Sequence, residues 1–314
     1  MQTKEKIPIL AVVGPTASGK TALGVELAKA YNGEVVSADS MQIYKHMDIG
    51  TAKPTEAEMQ GIPHHMIDVA SPEEDYSVSR YCAQAAPIVE DIVARGKTAI
   101  IAGGTGLYMD SLIRGNDFAP FPSTGVRQRL EAQADAEGLE AMAAWLRSVD
   151  PEAAERIQDR KRLLRALEVY LETGETITEH NRRTQAIPPR FTPVWLGLDF
   201  ADRQQLYDRI DLRVTKMLER GLLEEIRGLL DSGVPEKATA MQAIGYKEFV
   251  DALAGRQPLE AAADQVRQSS RRYAKRQLTW FRRNKAMHWL IRGENTTGED
   301  IFLSARQLLR EIDK

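Results

Sequence analysis

Residues 14–21 form a phosphate-binding pattern near the start of the chain. They match the phosphate-loop pattern G-x-x-x-x-G-K-[ST] in full. In such a loop, backbone N–H groups surround phosphate oxygens, Lys20 adds a positive charge and the Thr21 hydroxyl can hold Mg²⁺. The pattern predicts a ligand with two or more linked phosphates and leaves open what they are attached to. The residues expected to bind these phosphates are Gly14, Pro15, Thr16, Ala17, Ser18, Gly19, Lys20 and Thr21.

Asp39 follows the second predicted strand, residues 34–38. The carboxyl ends of parallel strands meet at one edge of a sheet, so we expect Asp39 to face the phosphate loop. A carboxylate there could cap a helix, support a magnesium ion from outside its ligand shell, or act as a general base. The sequence leaves these three roles open.

Arg213 lies within an apolar helical stripe, three residues after Ile210 and four before Met217. A guanidinium among apolar side chains needs a partner of opposite charge. Either a buried carboxylate or a pyrophosphate oxygen would serve, and both interpretations stay open.

Alternating strand and helix patterns predict the architecture that positions these groups. The pattern is typical of an α/β fold with a parallel sheet like that of P-loop NTPases. A helix is expected after the loop and a long helix over residues 203–230. Residues 116–189 are helical throughout and bounded by prolines, which predicts an inserted helical domain in a core of residues 1–115 and 190–314. The predicted strands are residues 7–13, 34–38, 65–69, 98–102, 194–198 and 287–291.

A glycine-rich turn, residues 103–106, follows the predicted strand 98–102. Many phosphate-loop NTPases carry an acidic magnesium ligand at this position, which weakens the interpretation as an ordinary ATPase. The guanine-recognition pattern N-K-x-D is also not matched, because residues 284–287 read Asn-Lys-Ala-Met.

Composition restricts the class of protein. The chain has 314 residues, 43% hydrophobic content and a formal net charge of −3. The polar residues 1–6 do not resemble a signal peptide and no apolar stretch reaches the ~20 residues of a membrane span, so we expect a cytoplasmic protein. The single cysteine, Cys82, excludes an internal disulfide and is expected to pack in a helix. Adjacent His64 and His65 are expected to be structural.

Basic residues are concentrated in two segments despite the negative net charge. Residues 267–285 contain eight arginines and lysines and no acidic residue, with Tyr273, Trp280 and Phe281 among them. A second basic segment covers residues 156–165. Such segments suit an RNA backbone with bases available for stacking, although a solvated helix face would look the same.

Seven segments together resemble the bacterial tRNA dimethylallyltransferases, over nearly the whole chain. Residues 39–54 are far more specific than the phosphate loop. The segments are GPTASGKT (14–21), DSMQIY (39–44), MDIGTAKP (47–54), GGTGLY (103–108), RLLRALE (162–168), QAIGY (242–246) and YAKRQLTWF (273–281).

The resemblance implies a substrate for the phosphate loop. In this family the loop holds the pyrophosphate of dimethylallyl diphosphate, with Mg²⁺ as cofactor. The prenyl group goes to the exocyclic N6 amine of the adenosine 3′ to the anticodon, position 37, in tRNAs that read codons beginning with U. The base is flipped into a channel, and the helical insertion grips the anticodon stem-loop. The protein is expected to act as a monomer.

The resemblance also assigns roles to residues. Asp39, Thr16 and Arg213 would be catalytic, and Thr21 the metal ligand. Residues expected to contact tRNA are Asp39, Ser40, Met41, Gln42, Thr105, Arg127, Lys161, Arg162, Leu163, Leu164 and Arg165, and the basic Arg271, Lys275 and Arg276. Two rival functions remain, a small-molecule kinase and an RNA-binding module without catalysis.

Overall fold

The computed structural model describes residues 7–115 and 124–312, in two compact units. The first unit combines Met1–Ile113 with Arg190–Lys314, and the second is Arg114–Pro189. The polar segment 1–6 and two of the prolines that bound the predicted insertion, Pro120 and Pro122, lie outside the described residues.

The first unit is built on a six-stranded parallel sheet, which confirms the predicted α/β class. The spatial order is β3-β2-β4-β1-β5-β6. The carboxyl ends of β2, β4 and β1 are therefore neighbours. The strands are β1 (Ile7–Val13), β2 (Gly33–Ser37), β3 (His64–His65), β4 (Thr98–Gly103), β5 (Phe191–Phe200) and β6 (Met287–Arg292).

Helices cover both faces of the sheet, and the regular secondary structure in the described part of the second unit is also helical. A short 3₁₀ helix spans Ala240–Gln242. The helices are α1 (Lys20–Ala30), α2 (Glu56–Met59), α3 (Val78–Ala94), α4 (Gly106–Arg114), α5 (Val126–Glu137), α6 (Leu139–Val149), α7 (Pro151–Arg156), α8 (Arg160–Thr173), α9 (Ile177–Ala186), α10 (Arg203–Glu219), α11 (Leu222–Asp231), α12 (Lys247–Leu253), α13 (Leu259–Phe281) and α14 (Gly298–Ile312).

The central strand β1 shows why an unbroken apolar run predicts a strand buried on both faces. Ile9, Ala11 and Val13 pack into the core on one side of the sheet. Leu10 and Val12 pack on the other side. Successive side chains of a strand point to opposite faces, so both faces need apolar residues.

Two predicted elements differ from the structure. The strand expected at residues 65–69 is reduced to His64–His65, because Met66 and Asp68 have left-handed backbone angles (φ 62° and 56°). The long helix expected over residues 203–230 is two helices, α10 and α11. Gly221 separates them with φ 96°, a conformation that favours glycine and ends a helix.

The second unit packs helices α5–α9 around its own apolar core. Asp150, only 4% exposed, joins two of them. Its Oδ1 accepts from the Ala153 N–H at the start of α7 (3.1 Å), and its Oδ2 accepts from the Thr178 N–H in α9 (2.9 Å). Core residues include Val126, Leu130, Leu146, Leu163, Leu164 and Leu167.

Local environments account for the cysteine and the two histidines. Cys82 packs against the core from α3, and burial raises the pKa of its thiol to about 12. His65 contacts the buried carboxylate of Glu34 (2.8 Å), and His64 contacts the Ile62 carbonyl (2.8 Å).

Within residues 7–115 and 124–312, no helix combines the length and apolar character needed to cross a membrane.

Candidate active site

A cavity of about 580 Å³ opens at the carboxyl ends of β1, β2 and β4 in the first unit. The phosphate loop, the segment after β2 and the glycine-rich turn all reach it. Helices α10 and α13 and the segment before α12 form another wall, which combines apolar side chains such as Val214, Met217 and Ile244 with arginines. Lining residues include Thr16, Ala17, Gly19, Lys20, Thr21, Asp39, Ser40, Met41, Gln42, Gly50, Thr51, Gly103, Arg209, Arg213, Val214, Met217, Ile244, Tyr273, Arg276 and Gln277.

The phosphate loop carries positive charge that has no carboxylate partner within 4.0 Å in the described part of the chain. Helix α1 begins at Lys20, whose Nζ donates to the Pro15 carbonyl (2.8 Å) of the same loop. Burial lowers the Lys20 pKa to about 8; Asp39 opposes this shift and Arg213 adds to it. An anion in the cavity would relieve the mutual repulsion of Lys20 and Arg213.

Two small features of the loop fit a phosphate group. Gly19 precedes α1 with φ 95°. The Ser18 hydroxyl is buried, has no hydrogen-bond partner among the described residues and does not line the cavity. Gly14 and Pro15 are buried behind the cavity rather than on its wall.

Asp39 faces this cavity from the end of β2. Its Oδ1 accepts from the Met41 N–H (2.9 Å), so the carboxylate caps a turn and not a helix. For Oδ2, no hydrogen-bond partner is found among the described residues. One oxygen thus orients the carboxylate, and the other remains available to a ligand.

Arg213 reaches the cavity from α10. Its Nη2 donates to the Thr51 carbonyl (3.4 Å), and no carboxylate of the described residues lies within 4.0 Å. Burial lowers the pKa of Arg213, while Asp39 and Glu58 act in the opposite direction. Of the two interpretations left open by the sequence, this geometry favours an external anion.

Thr105 lies behind Asp39 and does not line the cavity. Its Oγ1 accepts from the Ser40 N–H (3.0 Å), and its own N–H donates to the Ala38 carbonyl (3.2 Å). The glycine-rich turn thereby holds the backbone on both sides of Asp39.

Gln277 was not singled out from the sequence, and Tyr273 was named only as an aromatic residue of the basic segment. Their spacing of four residues places them on one face of α13, and both line the cavity. Burial raises the pKa of Tyr273 to about 12, and hydrogen bonds to Thr105 and Gln277 oppose that shift.

Glu225 is a second residue that sequence reasoning missed. From α11, its Oε2 accepts from the N–H groups of Asp48 (2.8 Å) and Ile49 (2.7 Å). Its Oε1 accepts from Gly50 N–H (3.1 Å) and from the Tyr246 hydroxyl (2.6 Å). The carboxylate thus holds the segment that lines the cavity at Gly50 and Thr51. No local pattern signals this, since the partners are far apart in sequence.

The basic segment near the C-terminus divides into paired and exposed residues. Arg271, predicted to contact tRNA, donates to both oxygens of Asp211 (2.7 and 2.6 Å). Arg276 lies 5.5 Å from the Tyr273 ring and lines the cavity, and Lys275 is exposed. Carboxylates from elsewhere also pair with Arg267 and Arg282, namely Asp264 and Asp199.

The predicted tRNA residues of the second unit differ in exposure. Lys161, Arg162 and Arg165 of α8 are exposed. Leu163 and Leu164 are only 3% and 1% exposed, because they form the core of this unit. Their side chains therefore offer no surface to an RNA. Arg127 is half-buried and pairs with Glu131 at 2.8 Å.

The donor set suits a magnesium ion that is held largely by phosphate oxygens. Among the described residues, no group of three or more His, Cys, Asp or Glu side chains could hold a metal. The cavity offers the Thr21 hydroxyl and the Asp39 carboxylate. Mg²⁺ commonly binds one or two protein oxygens together with substrate phosphates and water.

Comparisons with known proteins agree over most of the chain. A relative from Thermoanaerobacter sp. (strain X514), described as a tRNA dimethylallyltransferase, is 47% identical over 289 residues, covering 91% of this chain and 92% of that protein. The relative from Acetivibrio thermocellus, described in the same way, is 43% identical over 304 residues, 96% of this chain and 97% of that protein.

Solved structures give the same result. The tRNA isopentenylpyrophosphate transferase of Bacillus halodurans has a TM-score of 0.73 and 40% identity, covering 98% of this chain and 96% of that chain. A eukaryotic dimethylallyltransferase acting on tRNA has a TM-score of 0.83 and 30% identity, covering 96% of this chain and 78% of that chain. The sequence model described as IPP transferase matches residues 42–284. The chain therefore belongs to the IPP transferase family.

Proposed function

We propose that this protein transfers the dimethylallyl group of dimethylallyl diphosphate to the N6 amine of adenosine 37 in tRNAs that read codons beginning with U. The observation that carries the proposal is a single cavity in which Asp39 faces Lys20 and Arg213. This arrangement supports a carboxylate base beside a diphosphate-binding loop, in a chain whose relatives are described as tRNA dimethylallyltransferases.

The reaction forms a bond between N6 and the first carbon of the prenyl group and breaks that carbon's bond to the diphosphate oxygen. An adenine amine is a weak nucleophile, so it must be positioned and lose a proton. Asp39 Oδ2 would accept the amine hydrogen bond and take the proton as the C–N bond forms. Because Oδ1 is held by the Met41 N–H, the carboxylate is oriented before the substrate binds.

The leaving diphosphate gathers negative charge as the C–O bond breaks. Lys20, Arg213 and the backbone N–H groups of the loop that reach the cavity would stabilise that charge. Thr16 of the same loop lines the cavity and would also contact the diphosphate. Thr21 would hold Mg²⁺, which neutralises phosphate charge when bound.

The tRNA would be bound through exposed cations. Arg276 and Lys275 of α13 lie at and near the cavity, and Ser40, Met41 and Gln42 line it. On the second unit, Lys161, Arg162 and Arg165 would contact phosphates of the anticodon stem-loop, with Arg127 beside them. The free-energy cost of extruding a base is lower in a loop than in a duplex.

We place this activity in the cytoplasm and in a monomer.

Labelled dimethylallyl diphosphate, Mg²⁺ and unmodified tRNA test the proposal directly. The protein should label the tRNA, and Asp39→Ala should lower kcat by about 10²- to 10⁴-fold, the usual contribution of a general base. Asp231→Asn is the matched control, since Asp231 is exposed at the end of α11.

Three outcomes would contradict the proposal. Unlabelled tRNA would exclude the transferase, and full activity of Asp39→Ala would exclude the base. Transfer of phosphate from ATP to a small molecule would instead identify a kinase.

A further inference from the structure

Gln277 connects the phosphate loop to the glycine-rich turn through its side-chain amide. Its Oε1 accepts from the Thr16 N–H (2.9 Å), and its Nε2 donates to the Gly104 carbonyl (2.9 Å). The side chain is only 5% exposed. Both ends of the amide are therefore used to join two backbones.

The close approach at Gly104 shows how tightly this contact is built. A Cβ atom at Gly104 would lie 2.2 Å from Gln277 Nε2. No other amino acid fits there without moving the amide. The absence of a side chain at position 104 is thus explained by the space that Gln277 occupies.

The same turn reaches Asp39 through one further residue. Thr105 follows Gly104 and accepts from the Ser40 N–H (3.0 Å), next to Asp39. A continuous path of short contacts therefore runs from Thr16 in the phosphate loop, through Gln277 and Thr105, to the backbone beside Asp39.

We propose that Gln277 is a positioning residue that sets the distance between the phosphate loop and the Asp39 carboxylate. This inference rests on the proposed function. The reacting carbon is attached to the diphosphate, and the amine contacts Asp39. Loss of the link would leave both substrates able to bind and would misplace them relative to each other.

Gln277→Leu tests the role by removing both hydrogen bonds at similar volume. A displacement near 1 Å can cost about 10²-fold in rate, so kcat should fall by about that factor. The dissociation constants for tRNA and for dimethylallyl diphosphate should stay within about threefold, and both are measured by calorimetry. Gln257→Leu is the matched control, because Gln257 donates to a backbone carbonyl (Glu248, 2.8 Å) away from the cavity.

Gln277→Glu gives a readout that general destabilisation would not produce. A protonated carboxyl accepts from the Thr16 N–H and donates to the Gly104 carbonyl, as the amide does, whereas an ionised carboxylate repels that carbonyl. Burial raises the pKa of a carboxyl. Activity relative to the unchanged protein at the same pH should therefore be near normal at pH 5.5 and fall as the pH rises to 8.5.

The inference is overturned if Gln277→Leu loses less than about tenfold in kcat, if it loses no more than Gln257→Leu, or if the relative activity of Gln277→Glu does not change with pH. A failure of the proposed function is seen separately. In that case the unchanged protein does not label tRNA at any pH.

Discussion

At the scale of single residues, the site depends on charges that burial makes sensitive to pH. The Lys20 ammonium lies in the cavity near Arg213, and burial lowers its pKa to about 8. A lysine in this state is charged at neutral pH and loses its proton under mildly alkaline conditions.

Binding of dimethylallyl diphosphate should therefore weaken at alkaline pH. The charged form of Lys20 binds the anion, so the dissociation constant should rise above pH ~8, by up to about tenfold per pH unit. Calorimetry across pH 6.5–9.5 measures this. Lys20→Arg keeps its charge over that range and should bind with little dependence on pH. An unchanged dissociation constant up to pH 9.5 would show that Lys20 does not bind the diphosphate.

At the scale of secondary-structure elements, α10, α11 and α13 bring side chains to loops that follow the strands. Glu225 in α11 accepts four hydrogen bonds, three of them from the backbone of residues 48–50. The segment after residue 50 lines the cavity and accepts from Arg213. Glu225 in the first turn of α11 thus holds a loop that is more than 170 residues away in the sequence.

Glu225→Gln should destabilise the fold by about 2 kcal/mol, because the amide nitrogen cannot accept from backbone N–H groups. Urea unfolding measures the free energy of unfolding. Glu224→Gln is the matched control, as Glu224 is a neighbour in the same helical turn with an exposed side chain (70%). Equal stability of the two variants would refute a structural role for the Glu225 contacts.

At the scale of the whole molecule, the net charge is −3, but basic residues are concentrated in segments that suit an RNA backbone, such as residues 267–285. Arg271 is already paired with Asp211, whereas Lys275 on the same helix is exposed. Exposed cations contribute to the long-range, salt-dependent attraction of RNA phosphates.

Lys275→Ala should weaken tRNA binding and reduce the slope of log K against log salt by about 1. Binding titrations at several salt concentrations measure the slope. The affinity for dimethylallyl diphosphate should stay the same, since Lys275 does not line the cavity. Unaltered tRNA affinity would mean that Lys275 belongs to a solvated helix face. Lys29→Ala, on α1 and paired with Glu26, serves as the control.

The α/β fold and the phosphate loop could be predicted because their signals are local. Strand β1 is a continuous apolar run, and the loop pattern lies directly between that strand and α1. Errors arose where backbone conformation interrupts a pattern. The left-handed angles of Met66 and Asp68 end β3 early, and Gly221 divides a helix whose apolar stripe continues beyond it.

The sequence by itself determined the sheet, the phosphate loop and the placement of Asp39 at the same edge as that loop. Only the tertiary structure decided which charges are paired and which residues join the loops. Asp211 and Arg271 are 60 positions apart, and Gln277 and Thr16 are 261 apart. Such contacts follow from how helices pack against the sheet. A hydrogen bond forms only where the donor and acceptor atoms are placed to within a few tenths of an ångström. No pattern of residue types specifies positions to that precision.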